Sequence, residues 1–223
     1  MKLSANALAT LAEIAGSPLS KVTLTSEATP PPPTSQRIAR VRYLTEHGFP
    51  EVYLVLRRWT DSDGRTWLKV RIPMRPNGRE GWVRDSVLGS LHLVRTRLVV
   101  DRRRLRAALY RSGRRIWRSR IGVGKPSTPT PAGRFWIRER IKVPDPRGTY
   151  GPWAFGTSAY SSLSAWPGGG VVGIHGTDDP DSLGEDVPDG CIGVDNDVIE
   201  SFLGESVDAG LGRMVTPEGH SDG

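Results

Sequence analysis

Short runs in which apolar and polar residues alternate recur along the chain after residue 36, and such runs are typical of strands with one buried face. The clearest candidates are Val52–Leu56, Trp67–Ile72 and Gly81–Arg84. Asp61–Gly64 and Arg75–Gly78 separate them, and both have the composition of tight turns. Residues 37–95 are therefore predicted to form a small β module.

The same alternation continues downstream. Further strands are predicted at Leu98–Val100, Arg104–Leu109, Ile116–Val123 and from Phe135 onward. Ser112–Gly113 predicts a hairpin turn between two of them, and Asn196–Gly204 has the pattern of a short capped helix that ends at glycine. The expected class is mainly β, with one or two short helices.

The two ends of the chain differ from this pattern. Residues 1–36 end in four consecutive prolines and predict a leader or a semi-rigid linker, and residues 217–223 predict a tail. No apolar run reaches the roughly 18 residues that a membrane-spanning helix needs. The first twenty residues are interrupted by Glu13 and match a signal peptide poorly. Either the chain is not exported or its true start lies upstream.

Charge is distributed very unevenly over the 223 residues. Residues 96–143 have a net charge of +13 and residues 144–223 a net charge of −12, within an overall +7. Eleven arginines lie between Arg95 and Arg120. Either the two halves neutralise each other, or the arginine-rich face binds a polyanion such as a phosphate-bearing polymer. Nucleic-acid binding is not expected, because no RNA-module motif is present and the aromatic residues are not interleaved as a stacking platform needs.

The chemistry centres on the stretch from Val171 to Asn196. It contains the single cysteine, Cys191, and His175 sixteen positions before it. A thiol needs a base to become a good nucleophile, and an imidazole supplies one if the fold brings the two together. A lone cysteine is more often a small buried apolar residue. The other histidines are scattered and there is no second cysteine, so neither a metal site nor a cofactor is predicted.

Four motifs resemble one family in their order and spacing: GKPSTPTPAGRF, YGPWAFG, GVVGIHGT and DGCIGVDN. They are similar to the L,D-transpeptidase (YkuD-like) catalytic domain, and the resemblance covers roughly residues 96–216. It implies a mostly-β sandwich in which the histidine and the cysteine face one cleft. Separately, WLKVRIP and RPNGREGWVRDSVL resemble bacterial Src-homology-3-like modules, which implies a small β-barrel over residues 37–95.

The family resemblance implies a role for each residue near the motifs. Cys191 would be the nucleophile and His175 its base, and the oxyanion and loop support would come from Gly190, Asp189 and Gly176. The candidates for substrate binding are Tyr150, Trp153, Tyr160 and Gly193. The implied reaction cross-links peptidoglycan stem peptides between third residues, with carboxypeptidase activity as a variant. It also implies an extracytoplasmic location in the cell wall or periplasmic space, where the polyanion would be an anionic wall polymer.

Two positions depart from the family pattern. Asp189 stands where a second histidine is common, and Gly193 stands where arginine is usual. Loss of that arginine removes a five-donor group that could orient the loop or a substrate carboxylate. The alternative function is therefore a catalytically impaired cell-wall-binding module of the same fold.

Overall fold

The computed structural model describes residues 37–162, 167–187, 190–204 and 213–217, and within these residues the chain is mainly β. The strands are β1 (Tyr53–Thr60), β2 (Thr66–Arg71), β3 (Glu80–Arg84), β4 (Leu88–Leu93), β5 (Thr96–Asp101), β6 (Arg106–Arg111), β7 (Arg114–Arg120), β8 (Val123–Gly124), β9 (Ile137–Lys142), β10 (Trp153–Tyr160), β11 (Val171–His175), β12 (Asp186–Val187), β13 (Ile192–Gly193) and β14 (Arg213–Pro217). Helix α1 covers Asn196–Gly204, and short 3-10 turns cover Asp85–Val87, Pro167–Gly170 and Pro180–Ser182. No helix in the described residues is long and apolar enough to cross a membrane.

The predicted sandwich is confirmed in two packed sheets. One has the strand order β13-β11-β10-β9, and the other has the order β5-β6-β7. Their inner faces share one core, which also receives the apolar side of α1: Ala107, Leu109, Ile121, Val123, Ile137, Phe155, Ile174, Ile192, Val194, Ile199 and Phe202. Phe202 of α1 meets the Trp117 ring of β7 edge-on, with the ring centroids 5.5 Å apart. Helix α1 therefore packs against residues of both sheets.

The first sheet differs from the predicted barrel. Strands β1 to β3 form at the predicted places, but the sheet order is β3-β2-β1-β14-β4. Residues 213–217 pair antiparallel with both β1 and β4. Because this late strand lies between β1 and β4, the sheet is open in the described residues, with β3 and β4 as its edges. The Src-homology-3-like module is not confirmed.

A buried polar network joins the segment before β1 to strand β9. In the pairing of β9 with β10, Ile137 is opposite Thr157 and Glu139 is opposite Gly156. Consecutive residues of β10 thus face residues of β9 that are two apart, so Arg138 is the extra residue of a β-bulge. Arg138 and Glu51 have fully buried side chains and form an ion pair. Around them, Arg138 also reaches Glu46 at 2.9 Å, and His47 Nδ1 lies 2.8 Å from a Glu139 carboxylate oxygen. The network places the segment 46–51 against the outer face of the sheet β13-β11-β10-β9.

Candidate active site

The strand register brings Cys191 and His175 to one face of the sheet. Strands β11 and β13 run parallel, with Ile174 opposite Ile192 and His175 opposite Gly193. Both isoleucines point into the core, so the alternating residues His175 and Cys191 point to the other face. The backbone N–H of Gly173 donates to the Cys191 Sγ at 3.3 Å. The sulfur thus lies over Gly173, two residues before His175 on the same strand.

The Cys191 sulfur packs directly against the backbone at Gly173. A Cβ built on Gly173 would stand 3.7 Å from the Cys191 Sγ, an ordinary van der Waals distance. Cys191 is 6% exposed and His175 9% exposed. The thiol and the imidazole are consequently enclosed together at the end of β11, where water has little access.

The tautomer of His175 is fixed by a backbone carbonyl. His175 Nδ1 lies 2.6 Å from the Gly176 carbonyl oxygen, which can only accept a hydrogen bond. Nδ1 must therefore carry the proton, and in the neutral ring Nε2 is the basic nitrogen. The Tyr150 ring meets the imidazole edge-on with the centroids 4.9 Å apart. Together the two contacts hold the ring in one orientation, as a general base requires.

The first residue of α1 fixes the segment that follows His175. Asn196 Oδ1 accepts the Thr177 N–H at 3.0 Å. The same oxygen lies so close to Gly151 and Gly176 that a Cβ on either glycine would overlap it. The position of the Gly176 carbonyl, and through it the His175 ring, therefore depends on the helix start and on two residues without side chains.

Thr130 fixes the turn before Cys191. Its hydroxyl accepts the Gly124 N–H at 2.9 Å and donates to the Gly190 carbonyl, also at 2.9 Å. Gly190 has φ +71°, a conformation that favours glycine. A Cβ on Gly124 would also overlap the Gly190 backbone. The loop that presents the thiol is thus pinned against β8 by a buried hydroxyl and a close glycine–glycine contact.

The predicted substrate-binding residues fall into different places. Tyr150 is 41% exposed and contacts His175. Trp153 packs against the core cluster between the sheets. Tyr160 lies at the far end of β10, opposite Val171, and its hydroxyl bonds with Glu46 in the buried network. With about 3.4 Å per residue, Val171 lies about 13 Å from His175. The structure therefore brings Tyr150 to the site, places the Trp153 backbone beside Gly176 with its side chain in the core, and leaves Tyr160 away from the site.

Of the two positions that depart from the family pattern, the structure describes only one. Gly193 is the register partner of His175 and forms a backbone bridge with Gly122. A Cβ there would meet its nearest neighbours only at 4.0 Å, so the position has room for a side chain. Asp189 lies outside the described residues. Within the described residues, no three histidine, cysteine or acidic side chains are grouped so that they could hold a metal ion.

The comparisons with known proteins agree with the motifs. A family model described as the L,D-transpeptidase catalytic domain, YkuD, matches residues 95–209, just over half of the chain. The chain belongs to the L,D-transpeptidase family. The match includes both His175 and Cys191, together with the Thr130 and Asn196 that support them.

Two curated relatives, each named "Putative L,D-transpeptidase YkuD", are similar to part of the chain. The Bacillus licheniformis protein is 38% identical over 110 residues, which are 49% of this chain and 58% of that protein. The Bacillus subtilis protein is 42% identical over 81 residues, 36% of this chain and 42% of that protein. The chain therefore spans about half the length of these relatives. A crystal structure of an Enterococcus faecium L,D-transpeptidase mutant matches at 22% identity and a TM-score of 0.41, over 53% of this chain and 48% of that one.

Proposed function

We propose that this chain is a peptidoglycan L,D-transpeptidase with Cys191 as nucleophile and His175 as general base. The observation that supports it most is the position of the Cys191 Sγ over Gly173, on the strand face that also presents His175. The family match makes a cysteine acyl transfer the expected chemistry for this pair. The Nδ1 contact to the Gly176 carbonyl leaves Nε2 of His175 to accept the thiol proton.

The first half-reaction is the acylation of Cys191. As His175 Nε2 takes the thiol proton, the sulfur forms a bond to the carbonyl carbon of the third residue of a tetrapeptide stem. The carbonyl oxygen becomes an oxyanion, for which the backbone N–H groups of Gly190 and Cys191 are the proposed donors. When the intermediate collapses, the C–N bond to the terminal D-alanine breaks and its amine takes the proton from His175. A thioester on Cys191 remains.

The second half-reaction transfers the acyl group to a neighbouring stem. A side-chain amine of that stem attacks the thioester carbon, and His175 Nε2 accepts the proton that the amine loses. The C–S bond breaks, the sulfur regains the proton, and an amide joins third residue to third residue. If water attacks instead of the amine, the product is a shortened stem, which is the carboxypeptidase variant. Tyr150, beside His175, is the proposed contact for the stem.

Intact-mass spectrometry with a purified tetrapeptide muropeptide tests this function. The wild-type protein should gain the mass of the muropeptide minus D-alanine, because the acyl-enzyme retains all but the leaving group. Cys191→Ala should show no gain, and His175→Gln should form the adduct about 100-fold or more slowly, since a general base contributes that much. Absence of an adduct on the wild-type chain, with D-alanine release also undetected, would falsify the proposed activity.

A catalytically impaired wall-binding module is the second candidate, and Gly193 is the observation that favours it. The backbone of Gly193 lies beside His175 and has room for a side chain, yet it offers no guanidinium to orient a carboxylate. Gly193→Arg should fold normally, leave muropeptide binding unchanged and raise adduct formation if the glycine is what limits turnover. An equal adduct rate in both proteins would argue that the glycine is not limiting.

The proposal also covers where the protein is located and which part of the chain carries the activity. Peptidoglycan lies outside the cytoplasmic membrane, so an extracytoplasmic location follows if the activity is confirmed. Residues 96–216 are proposed as the catalytic unit and residues 37–95 as an accompanying module. The arginine-rich part of the catalytic unit is considered separately below.

A further inference from the structure

The outer face of the sheet β5-β6-β7 carries a cluster of arginines. Ala107 and Leu109 of β6 point into the core, so Arg106, Ala108 and Tyr110 point outward. The register places Arg120 opposite Arg106, Arg118 opposite Ala108 and Arg115 opposite Tyr110. On the other side, Arg97 of β5 is opposite Tyr110 and lies over its ring, 5.3 Å from the centroid. Arg97, Arg106, Arg115, Arg118 and Arg120 are called the arginine face below.

Three arginines of this face, Arg106, Arg115 and Arg118, have no carboxylate partner among the described residues. In β5 to β7, Arg104–Asp101 is the ion pair that forms between described residues, and it lies at the exposed turn between β5 and β6. Arg106, Arg115 and Arg118 are all exposed. Asp178, Asp179, Asp181 and Glu185 are exposed in the loop between β11 and β12, which Arg120 reaches at Gly184, but no ion pair between described residues joins them to these three arginines. Internal neutralisation of the two halves therefore does not account for these three arginines.

The close spacing of like charges on this face also lowers the stability of the folded state. Arg106 and Arg120 are directly opposite on adjacent strands, and like charges in that position destabilise a sheet. Solubility alone is achieved with mixed charges that avoid such pairs. Arginine in place of lysine is also informative, because its planar fork donates two parallel hydrogen bonds to a phosphate.

The spacing of the arginine face suits a chain of phosphates. Residues two apart on a strand, such as Arg118 and Arg120, are about 6.8 Å apart, and opposite residues on paired strands are about 5 Å apart. A flexible polymer with regularly spaced phosphodiesters can therefore contact several guanidinium groups at once. Arg120 also lies against Gly184, where a Cβ would overlap its guanidinium, so this face reaches the loop between β11 and β12 that leads to Cys191.

We propose that the arginine face binds a linear, phosphodiester-linked polyol polymer of the cell wall and so holds the enzyme at its substrate. The choice of a wall polymer over a nucleic acid rests on the proposed function, because that function places the protein at peptidoglycan. It also rests on the face itself. The Arg97 guanidinium lies over one face of the Tyr110 ring and occupies a position in which a base would stack.

Binding to a short synthetic poly(glycerol phosphate), measured by calorimetry over a range of salt concentrations, tests the proposal. With four exposed arginines in contact, the logarithm of the association constant should fall with the logarithm of salt at a slope of about −3. Arg106→Gln with Arg115→Gln and Arg118→Gln should reduce that slope to about −1. The corresponding triple lysine variant should keep most of the slope, since it keeps the charges.

A matched control separates the face from net charge. Arg57→Gln, Arg58→Gln and Arg79→Gln remove the same charge from exposed arginines of the first sheet. This control should bind like the wild type and should melt at a similar temperature. Equal loss of binding in both triple variants, or no binding by the wild type at physiological ionic strength, would overturn the proposal. Tighter binding of a single-stranded oligodeoxynucleotide than of the polymer would overturn the assignment to the wall.

The outcome is independent of the acyl-transfer experiment. The triple glutamine variant keeps Cys191 and His175, so it should form the muropeptide adduct at the wild-type rate in solution. Polymer binding without any adduct would refute the transpeptidase and leave the arginine face as a binding surface. Adduct formation without polymer binding would refute the arginine face alone.

Discussion

Three residues that were not predicted as site residues fix the positions of Cys191 and His175, which were predicted. Cys191 and His175 could be identified from the sequence because the motifs around them have a characteristic spacing. Thr130 and Asn196 could not be given their roles, because each acts through one hydrogen bond to a residue distant in sequence. Gly151 lies in the motif YGPWAFG, and its closeness to Asn196 depends on how β10 and α1 meet. Local sequence motifs predict which groups react, whereas the groups that position them depend on tertiary contacts.

Replacement of Thr130 by valine should slow acylation without removing the nucleophile. Valine has nearly the same shape but leaves the Gly124 N–H and the Gly190 carbonyl without their shared hydroxyl. We expect a loss of about 1–3 kcal/mol in the free energy of unfolding. We also expect adduct formation to slow by about 10- to 100-fold, because the loop that presents the sulfur is no longer fixed.

Thr130→Ser is the control for that experiment, since serine keeps the hydroxyl. It should restore most of the adduct rate and most of the stability. If valine at position 130 left the rate of adduct formation unchanged while the stability fell, the hydroxyl would support the fold but not the position of Cys191. The ratio of the two effects therefore distinguishes a positioning residue from a structural one.

At the scale of elements, most strands and the helix were predictable and the pairing was not. The hairpin turn at Ser112–Gly113 is confirmed, with φ +46° and +80°, and so is the helix that ends at Gly204. Alternation predicts that a strand has a buried face, but it does not tell which strand lies beside it. Alternation correctly located β1 to β3, but the Src-homology-3-like barrel is not confirmed: β14 enters the same sheet, which is open in the described residues.

The bulge in β9 is a second feature that alternation missed. A regular strand would point Arg138 and Glu139 to opposite faces of the sheet. With the bulge, both contact the segment 46–51, Arg138 through Glu51 and Glu139 through His47. In sequence, IRERIK appears as an ordinary half-buried strand. Only the partners supplied by the segment before β1 explain why a charged residue is buried there.

At the scale of the whole molecule, the network around Arg138 links stability to pH. Burial on its own would raise the pKa of Glu46, but the Tyr160 hydroxyl and the charges of Arg138 and Arg42 outweigh it and lower that pKa from 4.5 to about 2. A carboxyl with a depressed pKa stabilises the fold above its unfolded pKa, and this stabilisation is lost as the pH falls towards the folded value. The relevant window is therefore between about pH 4.5 and pH 2.

Glu46→Gln should remove that pH dependence. At neutral pH the variant should be less stable by no more than about 3 kcal/mol, the limit set by the pKa shift. The difference from the wild type should shrink below pH 4.5 and disappear near pH 2. Urea unfolding at several pH values measures it, with Asp178→Asn as the control because Asp178 is exposed and outside the network. A difference that stays constant with pH would contradict the role given to Glu46.

Strand β14 has a consequence for how the chain is synthesised. It pairs with β1 and β4 of the first sheet although it follows all other described elements in sequence. Until it emerges from the ribosome, β1 and β4 expose unpaired backbone groups that other chains can join. The first sheet therefore cannot be completed before β14 has been synthesised, and long-range pairing of this kind slows folding. Loss of β14, by early termination or proteolysis, should damage the sheet made first and promote aggregation, while Cys191 and His175 remain in the chain.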